Sequence, residues 1–459
     1  MRQNDKQSDF IDVANLRVGH YIYLDVGWMG HPFALNSFRI SSEDQIATIR
    51  GLGLERLRFS PAQSRLPEEA PGNPAAEATV SLTSKPEDKS GEGPSTPNAE
   101  TSMTAEAASP AATAPAAPSP LTPKELRREQ IARQHAALQR CENQFNDAAH
   151  TYRAIVEGIY THTLESREQG EAIVDGMISQ MGAANEEILV RLLSEKAGER
   201  TSLHSINVTI ISLLLARATG STPEHMRDIG LGALLHDIGK MELPDRLRWS
   251  DSEVSDAEKS LYRSHVGKGV VMAQKLGLPD GAKLIIAQHH ELSDGSGYPK
   301  SLHNESIYAP ARIVALVNRY DNLCNPGNPA QAVTPHEALS LIYAQNRNQY
   351  DARVMAVFIR LMGVYPPGSV IELSTGRHAL VVSVNSARPL RPNVIIHDPS
   401  VPADEALIMD LESNPEIGIR RSIKPLQLPK AAYDYLSPRK RLCYFFERGS
   451  ELGSVPPCP

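Results

Sequence analysis

The chain has 459 residues and a formal net charge of −7, with 47 Lys and Arg against 54 Asp and Glu. That length calls for two or three domains, and that charge argues against wholesale nucleic-acid binding. Cys141, Cys324, Cys443 and Cys458 stand without CxxC spacing and read as reduced thiols. No apolar run reaches the ~20 residues of a membrane span and the start MRQNDKQSDF lacks a signal-peptide core, so a cytoplasmic protein without a membrane partner is expected.

Residues 1–60 read as a small α/β domain. Residues 18–26 carry β-branched and aromatic side chains, a strand signal. Ser41-Ser42-Glu43-Asp44 looks like the start of a helix running to Gly51, and residues 55–59 look like the next strand. Residues 61–122 are Pro, Ala, Ser, Thr and Glu with hardly a large apolar side chain. Such a stretch buries too little surface to offset its ordering entropy, so a disordered linker is expected.

Residues 123–195 are read as a helical connector, because Leu126, Ile131, Leu138, Phe145, Tyr152, Ile155 and Ile159 recur at helical spacing. Its apolar stripe allows two roles: packing on the domain that follows, or pairing with a second copy in a homodimer. Residues 196–360 look mainly helical, with apolar runs at 208–215, 229–235, 284–287 and 313–317. After Tyr365-Pro366-Pro367-Gly368 the period changes, and 370–373, 379–384 and 394–397 read as strands of a β-rich C-terminal appendage spanning 365–459. The expected protein is therefore multidomain: a mainly α-helical core, a small N-terminal α/β domain and a β-rich appendage.

The chemistry is concentrated in the helical core. Leu234-Leu235-His236-Asp237-Ile238-Gly239-Lys240 places a His beside an Asp, with a Lys three residues on. His204 lies upstream. His265, the pair His289-His290 and the loop Asp294-Gly295-Ser296-Gly297-Tyr298-Pro299 lie downstream. Five histidines and an aspartate in about ninety residues are a metal-ligand inventory. An Asp can bridge two metals because its oxygens point apart, while each His offers one ring nitrogen. Isolated histidines such as His20, His135, His225, His303, His336 and His378 read as surface or core residues.

In this order and spacing, HDIGK, HH and GSGYP resemble the HD-GYP domain, the subgroup of HD phosphohydrolases that cleaves cyclic di-GMP; the resemblance covers roughly residues 185–360. It implies two divalent transition-metal ions, with iron, manganese and nickel all compatible. Asp237 would bridge them, His204 and His236 would hold one, and His265, His289 and His290 the other. Lys240 would stabilise charge on the phosphate, and Gly297, Tyr298 and Pro299 would face the substrate, the glycine allowing close backbone approach. The implied reaction opens cyclic di-GMP to pGpG and onward to GMP.

Three departures stand out. Asn318 occupies the place of a metal-ligating Asp, and its neutral carbonyl is a weaker ligand for a hard cation, while the second Asp of that motif is kept as Asp321. Residues 322–332 hold no Lys or Arg where the family carries basic residues that grip phosphates, and Arg200 stands where some members carry a Glu for a third metal. They keep a second reading open: a cyclic di-GMP receptor or interaction module that works through other signalling proteins. Hydrolysis of a different nucleotide is a third reading. At the N-terminus, Leu16-Arg17-Val18-Gly19-His20-Tyr21 followed by Trp28, His31-Pro32-Phe33 and Phe38 resembles a domain of unknown function that often precedes HD-GYP domains.

Overall fold

The computed structural model describes residues 9–24, 37–65, 122–183, 186–194, 200–248 and 255–448. Trp28, His31, Phe33, Cys458 and residues 66–121 of the expected linker lie outside the described residues.

The N-terminal unit is the expected small α/β arrangement. It comprises β1 (Asp9–Asp12), β2 (Tyr21–Tyr23), β3 (Ser37–Arg39), α1 (Glu43–Arg50) and β4 (Arg56–Ser60), with an antiparallel sheet in the order β1-β4-β2-β3. Helix α1 starts where the sequence signals it: the Ser42 hydroxyl accepts the backbone N–H of Gln45, and Glu43 and Asp44 sit in the positive first turn. Ile22, Leu24, Ile40, Ile46 and Ile49 form its small core.

Helix α2 (Pro123–Gly158) opens on a capping box between Thr122 and Glu125 and is followed by α3 (Thr163–Gln180). Phe145, Tyr152 and Ile155 of α2 are buried in the main core, so this part of its apolar stripe packs within the chain; Leu126 remains 44% exposed. The helical reading of 123–195 needs one correction. Residues Ile188–Leu192 form a strand, β5. All five of its residues are buried, Arg191 among them, so both faces are covered and the run shows no alternation of apolar and solvent-facing residues to reveal it.

The helical core consists of α4 (Arg200–Ala218), α5 (Pro223–Leu235), α6 (Asp245–Arg248), α7 (Asp256–Arg263), α8 (His265–Lys275), α9 (Asp280–Gln288), α10 (Ala309–Cys324), α11 (Pro335–Asn346) and α12 (Ala352–Met362). Helix α5 is central and packs against α4, α9, α3 and α10; nine of its residues are buried, which is why 229–235 reads as a continuous apolar run. Among the described residues no helix is long and apolar enough to cross a membrane.

The C-terminal part holds β6 (Val370–Leu373), β7 (His378–Asn385), β8 (Asn393–Ile396), β9 (Met409–Asp410), β10 (Ile419–Ile423), α13 (Lys430–Leu436) and β11 (Tyr444–Arg448). It is not a free-standing appendage. Its sheet runs β10-β6-β7-β5-β11, with β8 and β9 branching from β7, so the strand preceding the helical core lies between two C-terminal strands. A buried Arg191–Glu447 ion pair, Nε to Oε2 2.5 Å, ties β5 to β11. Breaking one partner of such a pair would strand a buried charge.

Candidate metal centre

Three helices, α5, α7 and α9, end at one place. A helix leaves its last carbonyls without intrahelical partners, and here three of them accept imidazole N–H groups. His236 Nδ1 donates to Ala233 O at 2.7 Å, His265 Nδ1 to Tyr262 O at 2.7 Å, and His289 Nδ1 to Ile286 O at 2.8 Å. A carbonyl oxygen only accepts, so the ring proton sits on Nδ1 and Nε2 turns inward. The negative ends of the α5 and α9 dipoles also converge there, which favours a cation.

His204 reaches the same place from α4 and is held by a side chain instead: its Nδ1 lies 2.6 Å from Asp321 Oδ2 on α10. Asp321 Oδ1 accepts Asn207 Nδ2 and Asn325 Nδ2, both at 2.9 Å, and the same two amides donate to the Leu442 carbonyl. The C-terminal segment thus fixes the residue that fixes His204.

The inward nitrogens face one another in pairs, His204 to His236 at 3.2 Å and His265 to His289 at 3.3 Å. The Asp237 carboxylate lies between the pairs. Its Oδ2 is 3.4 Å from His236 Nε2 and 3.7 Å from His204 Nε2, while Oδ1 is 3.4 Å from His265 Nε2 and 3.8 Å from His289 Nε2. Burial pushes His265 down to about 4 and holds His289 and His290 well below the usual imidazole range, so these rings are neutral. Burial would raise the Asp237 pKa, but the Lys240 ammonium and the His236 ring outweigh it and hold the carboxyl well below its ordinary value.

Asp237 Oδ1 and His290 Nε2 are buried without a hydrogen-bond partner. Unpaired buried acceptors and facing lone pairs are costly alone and are satisfied together by a cation. Two sets of ligand atoms meet the distance condition: Asp237, His265, His289 and His290, and His204, His236 and Asp237, each with all atoms within 4.8 Å of one another. The donor set fits a metal ion, and Asp237 belongs to both sets.

Lys240 lies on a tight 3-10 turn, Ile238–Glu242, and donates to Asp237 Oδ2 at 2.5 Å while standing 5.2 Å above the Tyr262 ring. Burial opposes its charge, but Asp237 and Tyr262 raise its pKa, so the ammonium persists. Gly239 makes this turn possible: a Cβ there would stand 2.0 Å from His265 O and 2.4 Å from Gly269 N.

The GSGYP loop folds back onto His289-His290. Buried Glu291 accepts Lys300 N at 2.6 Å and Leu302 N at 2.8 Å, closing the loop at its base. A Cβ at Gly297 would meet Leu292 N at 2.3 Å and His290 O at 2.5 Å. The close approach that calls for glycine is therefore to the loop's own backbone, which corrects the reason expected from sequence. Tyr298 stacks on His290, centroids 4.5 Å apart and 21° between planes, and the Arg263 guanidinium covers the tyrosine ring at 4.9 Å.

A cavity of about 420 Å³ opens beside the ligands. His289, His290, Gly297, Tyr298 and Asn318 line it, and Pro299 and Lys240 do not. Asn318 is buried, and its Oδ1 accepts Asn322 Nδ2 at 2.7 Å. Sequence reasoning missed the orienting role of Asp321, the loop-closing Glu291 and the cavity residues Arg263 and Arg319. Asp321 was visible as the kept half of a motif; the arginines gave no signal, because they come from different helices.

Residues 153–354 match the family model described as HD domain, and residues 9–168 match a domain of unknown function (DUF3391). The chain carries an HD domain. The match spans the helices that supply all five inward histidines and Asp237. A cyclic di-GMP phosphodiesterase of Pseudomonas aeruginosa is 32% identical over 209 residues, covering 45% of this chain and 49% of that protein. The cyclic di-GMP phosphodiesterase response regulator RpfG of Xanthomonas campestris pv. campestris is 29% identical over 214 residues, covering 44% and 57%. A 3′3′-cGAMP-specific phosphodiesterase of Vibrio cholerae is 27% identical over 167 residues, covering 36% and 32%. The aligned part thus spans about half or less of these relatives.

Proposed function

We propose that this chain is a metal-dependent phosphodiesterase that hydrolyses cyclic di-GMP to pGpG and onward to GMP. The observation that carries the reading is the Asp237 carboxylate, with each oxygen facing its own pair of imidazole nitrogens. Two divalent transition metals held there would activate a water and neutralise phosphate charge. In this assignment His204 and His236 hold one ion, His265, His289 and His290 the other, and Asn318 offers a further neutral oxygen. Lys240 keeps a fixed positive charge at the edge of the site, and Tyr298, its hydroxyl kept protonated by burial, lies between His290 and Arg263 in the cavity wall. The relatives named for cyclic di-GMP support the substrate, and the one named for 3′3′-cGAMP makes that nucleotide the necessary control.

A receptor reading is favoured by one observation, the neutral Asn318 already engaged by Asn322. One experiment separates the two. Metal-replete protein is incubated with cyclic di-GMP and, separately, with 3′3′-cGAMP, and products are resolved by chromatography. Conversion of cyclic di-GMP to pGpG is expected, with elemental analysis showing near two metal equivalents. Binding without turnover at any manganese concentration would install the receptor reading.

A further inference from the structure

The sequence withholds positive charge where the resemblance leads one to look for it: residues 322–332 contain no Lys or Arg. The fold supplies it from elsewhere. Arg263, the last residue of α7, and Arg319, in the middle of α10, both line the cavity next to His289 and His290. Both are exposed, and among the described residues neither makes an ion pair with a carboxylate. No Asp or Glu is among the described residues lining this cavity. Each arginine is also associated with a tyrosine of the wall. Arg263 lies over Tyr298 at 4.9 Å, and Arg319 is near enough to Tyr350 to lower its hydroxyl pKa against the upward push of burial.

We infer that Arg263 and Arg319 are the phosphate-binding residues of this site, holding the phosphodiester of a cyclic dinucleotide that is not cleaved. The inference rests on the phosphodiesterase reading above and names residues that reading lacks. A guanidinium presents paired N–H donors that match two phosphate oxygens, and one without a carboxylate partner has those donors available. Such a residue near a neutral tyrosine ring offers a face for a base and a fork for the adjoining phosphate. A cyclic dinucleotide has two of each. Asn322, Asn346 and Gln349 add amide donors and acceptors to the same wall, which suits a base edge rather than an apolar ligand.

The test uses the full chain with its metals and the variants Arg263→Gln, Arg319→Gln and the double variant. Because both side chains are exposed, the fold should survive, and circular dichroism with metal analysis confirms it. Each single change should raise KM for cyclic di-GMP, and Kd for a non-hydrolysable phosphorothioate analogue of it measured by calorimetry, about tenfold or more while leaving kcat within threefold. The double change should raise them about a hundredfold, and Arg319→Lys should recover part of the loss. Unchanged KM and Kd in the double variant, with wild type still turning over cyclic di-GMP, would overturn this inference and leave the phosphodiesterase reading standing. A wild type that neither binds nor hydrolyses cyclic di-GMP would defeat both. A fall in kcat and metal content with KM unchanged would assign the arginines to support of the metal centre and overturn phosphate binding.

Discussion

On one side of Asp237, His265 and His289 take their orientation from main-chain carbonyls at helix ends; on the other, His204 takes its orientation from a carboxylate held by two asparagines, whose amides also donate to a distant backbone carbonyl. His236 joins the second set but is anchored like the first. The contrast is between orientation that comes with the helix and orientation assembled from three separate parts of the chain: α4, the end of α10 and the segment at Leu442. A ring bonded to its own helix end cannot turn without opening that hydrogen bond, so the first half-site resists substitution nearby. The second is more open to tuning, because a carboxylate partner also raises the basicity of the ring it holds.

The largest effect should come from removing what the halves share. Asp237→Ala should cut turnover of cyclic di-GMP at least a thousandfold with the helical circular dichroism signal retained, since neither half keeps its anion. Turnover at a tenth of wild type would show that the halves work independently. A smaller and one-sided effect should follow Asp321→Asn. It leaves the first half-site intact and should weaken metal binding about tenfold to a hundredfold, read as loss of near one equivalent after dialysis against a mild chelator. Loss of both equivalents would erase the distinction between the halves.

The smallest change should be a gain. Asn318→Asp keeps an acceptor for Asn322 and adds a full negative charge beside the ligands, so activity at limiting manganese should rise by up to about tenfold, ~1.4 kcal/mol. No gain at limiting manganese would mean that Asn318 contacts no ion. A gain from zero would mean that the natural site is a receptor.

What could be read in the sequence follows the same division. The ligand histidines announced themselves because their chemistry lies in residue type and the HD and HH pairs are adjacent in the chain. The helical core and the strands at 370–373 and 379–384 were legible from apolar periodicity. Strand β5 was not, because burial on both faces removes the alternation that marks a strand. Gly297 was legible as special, but its reason lay in backbone 290–292 folding against it. Arg263 and Arg319 could not be found from spacing, since only the packing of α7 and α10 brings them to one cavity. Leu442 carries no chemical signal at all, because it contributes a main-chain oxygen.

That oxygen has a consequence for when the site comes into being. A ribosome delivers the chain from its N-terminus, and domains form in that order. His204, His236, His265, His289 and His290 are all synthesised long before Leu442 emerges. Until it does, Asn207 and Asn325 lack the carbonyl that aligns them on Asp321, and His204 lacks its settled partner. A nascent chain can therefore carry every ligand side chain and still hold only one finished half-site, so completion of the centre waits for the segment that leads into β11.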